Sequence, residues 1–476
     1  MKNQTARRPE GKGTTRSARS KYNNKQTAHV EARRDGQPLI FGWGGHLSRA
    51  QKTQLQRLGV WTFIGFITFL IIVVIAAFWI NFNIIIPNLS VANVNGQTIP
   101  QSDYRKLVAL KGQIAENTFK GRNGTLAQEA SIKTKSTDQQ KVVDADTKKV
   151  NDLTTQIKAL PKNSNQLTDL QNQLTAAKTQ QTSDQKIKSN YDSQYASLNQ
   201  TDQLQEQLFT QSQIGTESVQ WLQEDIVIRN WLSKQSTAIQ NKVNPTSNSV
   251  NQALNAVKAN LPRGTTYNGF LQNSNVSDAD LQSMMTLIQR RNNMQNYLAS
   301  QITSPTRQVQ ARDITLSTQS AAANILKQLK ANGDFNALAK AQSLDSNTKT
   351  KGGELGWLAP GQYMLSDGAN TAATVDSWIS DPARTANELS PVLSENGTFH
   401  IVQIENIDPS HAIDSATLKS LQGNALKYWI EVQKVHGVKF SDPDSTMLFD
   451  ASNVPSWIPQ SPPTTPTPQI GSTTGQ

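Results

Sequence analysis

The chain is 476 residues long, enough for two or three compact units, and it contains no cysteine. That excludes a disulfide framework, a thiolate metal site and a lipid-modified cysteine, and it leaves the redox compartment open. Of the formal net charge of +11, +10 lies before Leu58, where 13 Lys and Arg stand against three acids, so the rest of the chain is almost neutral.

Residues 1–57 are rich in Arg, Lys, Gln, Asn, Thr and Gly. With so few apolar side chains they cannot bury a core and are expected to form a disordered basic arm. Nucleic-acid binding is one use for such an arm. A topology determinant that touches anionic headgroups suits its position better, because an apolar run follows at once, and no nucleic acid is expected as a partner. Phe41-Gly42-Trp43 reads as an interfacial aromatic anchor. Leu58 to Ile80 carries no charged residue and is long enough to cross the hydrocarbon core, which predicts a transmembrane helix over 58–83. A cleaved signal peptide would have a shorter apolar stretch and a briefer charged start. The positive-inside rule then predicts a single-pass protein of the cell membrane, its N-terminus cytoplasmic and its bulk extracytoplasmic.

Beyond the span, Val91 to Pro100 alternates and turns at Asn95-Gly96, a hairpin signal. Ser102-Asp103-Tyr104 then opens a helix by capping, within a segment 88–123. Residues 124–205 are dominated by polar side chains, yet Val143, Val150 and Ile157 recur seven apart, with Leu153 and Leu160 in the offset position. The pattern restarts at Leu167, Leu170, Leu174 and Ala177. This spacing predicts an antiparallel helical hairpin turning at Pro161-Lys162-Asn163, against the alternative of a flexible polar linker. In 206–304, Trp221 to Leu232 reads as an amphipathic helix. Ser277 is placed to cap a long helix running to about Ser300, whose stripe includes Met284 and Met285; these serve core packing or an adaptable peptide groove.

In 305–408 the predicted order is a strand over Val309 to Leu316, a helix over Ala321 to Lys330, and a second helix capped by Asp334. There follow Lys351-Gly352-Gly353-Glu354-Leu355-Gly356-Trp357, whose paired glycines permit a tight turn or close backbone approach, and a strand at Phe399-His400-Ile401-Val402-Gln403-Ile404. Ala416 to His436 predicts one amphipathic helix stopped at Gly437, within 409–446. The stretch 447–476, rich in Pro, Thr, Ser and Gln from Pro455 on, is expected to be a disordered tail. The five histidines show no metal-ligand spacing, and neither a phosphate loop nor a nucleophile elbow occurs.

The β-α-α-β-α-β order of 305–408, with its Gly-Gly-Glu-Leu-Gly-Trp and Phe-His-Ile-Val-Gln-Ile wording, resembles the parvulin type of peptidyl-prolyl isomerase. The hairpin and Asp-Tyr helix start, together with Trp221 to Leu232, Ser247 to Ala259, Tyr267 to Leu271 and Val276 to Leu281, resemble the SurA-type chaperone domain of exported parvulins. The chain is thus similar to SurA/PrsA/PpiD-like membrane-anchored foldases. That implies an α+β fold class: a single transmembrane helix, a helical chaperone domain with a coiled-coil hairpin insertion, a parvulin-like domain, and a C-terminal helix packing back on the chaperone unit. It also implies isomerisation of X-Pro bonds in unfolded or newly exported polypeptides, with the secretion machinery as a neighbour, no cofactor and no metal.

Carried over by resemblance, the site comprises His400 as the family's second histidine, Asp313 in the slot of its strand-one histidine, and Asp345, with Ser346 as the alternative, in its Cys/Asp slot. Tyr363 or Met364 stands for the Met of the pocket wall, Leu355 is a further substrate-binding candidate, and Val375 or Trp378 takes the place of the pocket phenylalanine. Replacement of the first histidine leaves two readings open: a retained isomerase, or a non-catalytic holdase or scaffold whose parvulin domain only binds peptide.

Overall fold

A computed structural model describes residues 48–366, 373–443, 445–450 and 453–460. The chain divides into two units, Met1–Ile84 and Ile85–Gln476. In the first, helix α1 (Arg49–Ile80) continues into a π-helical stretch, Asn81–Ile85. The span Thr53–Asn88 is long and apolar enough to cross a membrane. Thr62 and Thr68 donate their hydroxyls to the carbonyls of Leu58 and Ile64, at 2.6 and 2.9 Å, so neither presents a free O–H to an apolar surrounding. Residues 1–47 of the basic arm, with Phe41 and Trp43, lie outside the described residues, whereas its last part, from Arg49, is not disordered as expected but forms the first turns of α1, continuous with the apolar run.

The second unit is α+β and begins with the hairpin β1 (Ser90–Val94) and β2 (Gln97–Pro100). Asn95 and Gly96 both have positive φ, 50° and 82°, which matches the turn's twist to that of the strands. Helices α2 (Gln101–Lys120), α5 (Gln211–Leu232), α6 (Thr237–Val243), α7 (Ser247–Ala259), α8 (Tyr267–Ser274) and α9 (Asp278–Gln301) enclose the larger core. Tyr104, Leu107, Leu110, Ile228, Leu254, Leu281 and Met294 are fully buried there. Ser277 and Asp280 form a reciprocal capping box at the start of α9, and Met284 and Met285 face the core.

Between α2 and α5 rises the antiparallel hairpin α3 (Thr125–Ala159) and α4 (Leu167–Leu208). Val143, Leu153 and Ala177 are buried in its seam, but so are Asp184 and Asp202, and Gln139 donates to Asp184 at 2.9 Å. Its few apolar contacts are therefore supplemented by polar pairs. At its base Asn199 donates to Glu129 at 3.0 Å, and the rings of Phe119 and Phe209, just outside the hairpin, meet edge-on at 5.2 Å.

Two expectations for the C-terminal segment need correction. The single helix expected over Ala416 to His436 is two, α14 (Ser415–Gly423) and α15 (Ala425–Val435), broken at Gly423-Asn424. Gln295 of α9 enters the break: its amide donates to the Gln422 carbonyl at 2.6 Å and its oxygen accepts from Leu426 N–H at 2.8 Å. These bonds satisfy backbone groups that an unbroken helix would pair internally. The tail expected to be disordered from 447 on instead packs into the helical core over its described part. Val454 and Ile458 are buried, Trp457 stacks on Phe209 at 6.3 Å, and Gln211 N–H donates to the Pro459 carbonyl at 2.8 Å. Gly112, in the middle of α2, is where Ile458 lies down: a Cβ there would come within 2.6 Å of Ile458 Cδ1. A helix-interior glycine, normally destabilising, is thus accounted for by close approach of the tail.

The smaller core belongs to a four-stranded antiparallel sheet of order β4-β3-β6-β5, with β3 (Thr306–Leu316), β4 (Glu354–Leu358), β5 (Leu393–Glu395) and β6 (Thr398–His411). Because successive side chains alternate between faces, Ile314, Leu316 and Ile401 point to one side, where α10 (Gln319–Lys330) and α11 (Phe335–Gln342) cover them. Val309, Ala311, Val402 and Ile404 point to the other side and meet Tyr363 of α12 (Gln362–Ser366) and Val375 and Ile379 of α13 (Thr374–Ser380).

Candidate functional site

The sheet's two central strands, β3 and β6, run side by side with Thr315 opposite His400 and Asp313 opposite Val402. This register brings Asp313, Thr315, Thr398 and His400 to the face occupied by α12 and α13. Asp313 is 3 % exposed and His400 4 %, so each polar group must find its partner within the protein. His400 Nδ1 lies 2.7 Å from Asp313 Oδ2. The same oxygen accepts from Thr315 Oγ1 at 3.1 Å and from the Tyr363 hydroxyl at 3.2 Å. The tyrosine ring stands edge-on to the imidazole, their centroids 6.5 Å apart, and Thr398 Oγ1 is 2.8 Å from His400 Nε2. Among the described residues Asp313 Oδ1 has no hydrogen-bond partner.

The paired glycines hold this arrangement from below. Asp313 N–H donates to the Gly353 carbonyl at 2.8 Å, and Gly353 adopts φ +85°. A Cβ on Gly353 would sit 2.4 Å from the Asp313 carbonyl oxygen, closer than any side chain is tolerated. Glycine at 353 is required both by its left-handed backbone and by the nearness of β3. The Gly-Gly motif and the acidic member of the buried pair are therefore one local structure.

The structure brings His400, Asp313 and Tyr363 together and gathers Leu355 and Trp378 against the same apolar cluster. Val375 is fully buried in that cluster, and Met364, next to Tyr363, is fully buried as well. Asp345 is the exception among the expected site residues. Its carboxylate turns onto its own loop, accepting from Asn347 N–H at 2.9 Å and from Thr348 Oγ1, as a short side chain does when it caps a turn. The alternative, Ser346, lies exposed on that loop. Nearer to β3 is Ser343, fully buried, whose hydroxyl accepts from Thr315 N–H at 3.2 Å.

Three residues were not singled out from sequence. Thr315 and Thr398 each lie two positions from a site residue on the same strand, so the two-residue period would have found them. Asp376 carried no such signal: its importance comes from burial and from backbone donors on a different element, Gly361 N–H at 2.9 Å and Met364 N–H at 3.0 Å. Desolvation holds the Asp376 carboxyl above the usual carboxylate range despite these donors.

Comparison with known proteins gives the following likenesses. Residues 282–407 match the family model of the PPIC-type PPIASE domain. Foldase protein PrsA of Exiguobacterium sibiricum is 30 % identical over 161 residues, covering 30 % of this chain and 48 % of that relative. The chain thus spans about half the length of the curated relative it matches. Among solved structures, peptidylprolyl isomerase PrsA from Bacillus anthracis is 20 % identical, with a TM-score of 0.23, over 43 % of this chain and 95 % of that one. The parvulin domain of PpiD from E. coli is 28 % identical, with a TM-score of 0.18, over 22 % of this chain and 93 % of that one. The SurA-like chaperones of Campylobacter jejuni are 18 % identical, with a TM-score of 0.19, over 59 % of this chain and 83 % of the matched one.

Proposed function

We propose that this chain, whose residues 282–407 constitute a PPIC-type domain of the parvulin class, is a membrane-anchored foldase that catalyses cis-trans isomerisation of X-Pro bonds in exported polypeptides. The observation that carries this reading is the buried Asp313-His400-Tyr363 network on adjacent central strands inside that domain, beside an apolar cluster. The name of the relative, a foldase, supports the polypeptide as substrate.

Amide resonance sets the uncatalysed barrier at about 18–20 kcal/mol. Lowering it requires no nucleophile, metal or cofactor, only an environment that favours the twisted imide over either planar form. As the imide twists it loses the charge separation of its planar resonance form, so an apolar proline cup that excludes water favours that state selectively. Leu355, Trp378 and Tyr363 provide apolar surface of this kind, while Asp313, Thr315 and Thr398 hold the imidazole and phenol in one orientation. Preorganised polar groups of this sort act without reorganising during the reaction. The apolar helix and the basic residues before it support single-pass anchoring, with the arm cytoplasmic and the folded unit outside.

One feature favours a second reading, a holdase without catalysis: an aspartate occupies the strand-one position where the family carries a histidine. The two are separated by proline-limited refolding of a reduced model substrate with the full chain in detergent micelles. We expect acceleration by the wild type, its loss on His400→Ala, greater turnover with Asp313→His, and unchanged suppression of client aggregation in both variants. Refolding at the spontaneous rate with both wild type and Asp313→His leaves the holdase.

A further inference from the structure

The carboxylate of Asp376 lies between the site and the C-terminal helices. On one side it holds the turn that carries Tyr363: Oδ1 accepts from Gly361 N–H at 2.9 Å and Oδ2 from Met364 N–H at 3.0 Å, so each oxygen fixes one end of the turn. Ser380 Oγ adds a third bond, to Oδ1, at 3.0 Å. On the other side the Tyr428 ring of α15 packs on Gly361 of that turn, and its phenol faces Asp376 and Ser380. The contact continues through packing. Gly361 has φ +89°, and a Cβ placed there would meet Tyr428 Cγ at 3.3 Å and Leu421 Cδ2 at 3.4 Å. The turn's backbone is therefore seated directly on α14 and α15.

Those helices are in turn fastened to the helical core. Leu426 and Ile430 are buried in it, and Trp429 meets Trp231 of α5 edge-on at 5.7 Å. A continuous chain of contacts thus runs from α5 through α15, Tyr428 and Asp376 to the Tyr363 turn, and from the Tyr363 hydroxyl to Asp313 and His400 at 3.2 and 3.4 Å. Contacts of that length are weakened steeply by small displacements, which makes the site sensitive to the seating of its turn.

We propose that Asp376 and Tyr428 are positioning residues through which the helical domain sets the geometry of the His400 site. The inference rests on the isomerase reading for its catalytic consequence. Its geometric content, coupling of Tyr428 to His400, can be measured without catalysis.

The test uses the full chain in detergent micelles, with histidine labelled for NMR and the His400 resonance assigned by its loss in His400→Ala. Tyr428→Phe keeps the ring against Gly361 and removes only the hydroxyl. Tyr104→Phe is the control, since its hydroxyl donates to the Leu448 carbonyl at 2.8 Å in the helical core. We expect Tyr428→Phe to move the His400 resonance and to lower kcat on a proline peptide about fivefold at unchanged KM, the size of effect expected from one polar contact. Tyr104→Phe should lower thermal stability and move neither readout. Asp376→Asn, which keeps one acceptor and puts a donor against backbone N–H groups, should exceed Tyr428→Phe in both. If Tyr428→Phe leaves both the His400 resonance and kcat where Tyr104→Phe leaves them, the inference is overturned. In a wild type without isomerase activity the function proposed above fails, and the resonance alone decides the coupling: displaced supports it, unmoved rejects it.

Discussion

At the scale of single residues, the candidate site depends on backbone proximity as much as on side-chain chemistry. Gly353 shows this most directly, because a methyl group there would collide with the carbonyl of the residue that pairs with His400. Gly397 is a natural comparison: it has nearly the same backbone, φ +81°, but open space where a Cβ would stand. Gly397→Ala should cost only the left-handed strain, about 1 kcal/mol. Gly353→Ala should cost about 2–3 kcal/mol, because β3 must also move. Hydrogen-exchange protection of the β3 and β6 amides measures both, and equal losses would mean that the contact with Asp313 carries no energy. His400 and Asp313 could be set side by side from sequence only through the resemblance of 305–408 to the parvulin type, because strand alternation says which face a side chain takes on its own strand and not which strand lies beside it. Asp345 was misplaced because a loop of irregular backbone follows α11, and counting residues along it does not reveal where a side chain points.

Among elements, the α3–α4 hairpin contributes less to stability than its length suggests. It is long, yet its seam buries few apolar side chains and several polar ones, and such polar seams add little net stability. Its base is closed independently by the Asn199–Glu129 bond and by the Phe119–Phe209 contact below it. Replacing residues 130–198 with a short Gly-rich bridge should therefore leave the remaining unit folded, with its melting temperature within about 3 °C of the parent. Collapse of near-UV circular dichroism on that excision would mean that the hairpin is part of the core. The heptad spacing of Val143, Val150 and Ile157 made the hairpin readable. The break between α14 and α15 was not readable, since a glycine-asparagine pair is tolerated in many helices and the bonds from Gln295 come from a residue over a hundred positions away.

For the whole molecule, the prediction concerns topology. With ten of the eleven net positive charges before Leu58, protease added outside intact cells or spheroplasts should remove everything beyond about Asn83 and leave the basic arm protected. Immunoblotting with tags at the two ends reads the outcome. A soluble protein lacking residues 1–80, recovered without protease, would speak for a cleaved leader and against an anchor.

The sequence by itself determined those features whose physics is local or periodic. The apolar run, the charge asymmetry, the Asn95-Gly96 turn, the Ser277 cap and the alternation of β3 and β6 each follow from residues within one or two turns of chain. Tertiary structure decided the features that depend on what arrives from elsewhere. Ile458 settles on Gly112 and gives the last part of the described chain a fixed place, although its Pro- and Ser-rich composition argued for disorder. Asp376 becomes a buried hub only because α12 and α15 close on it from opposite sides. Burial of a polar group is favourable only when its partners are supplied, and those partners stand on elements far apart in sequence.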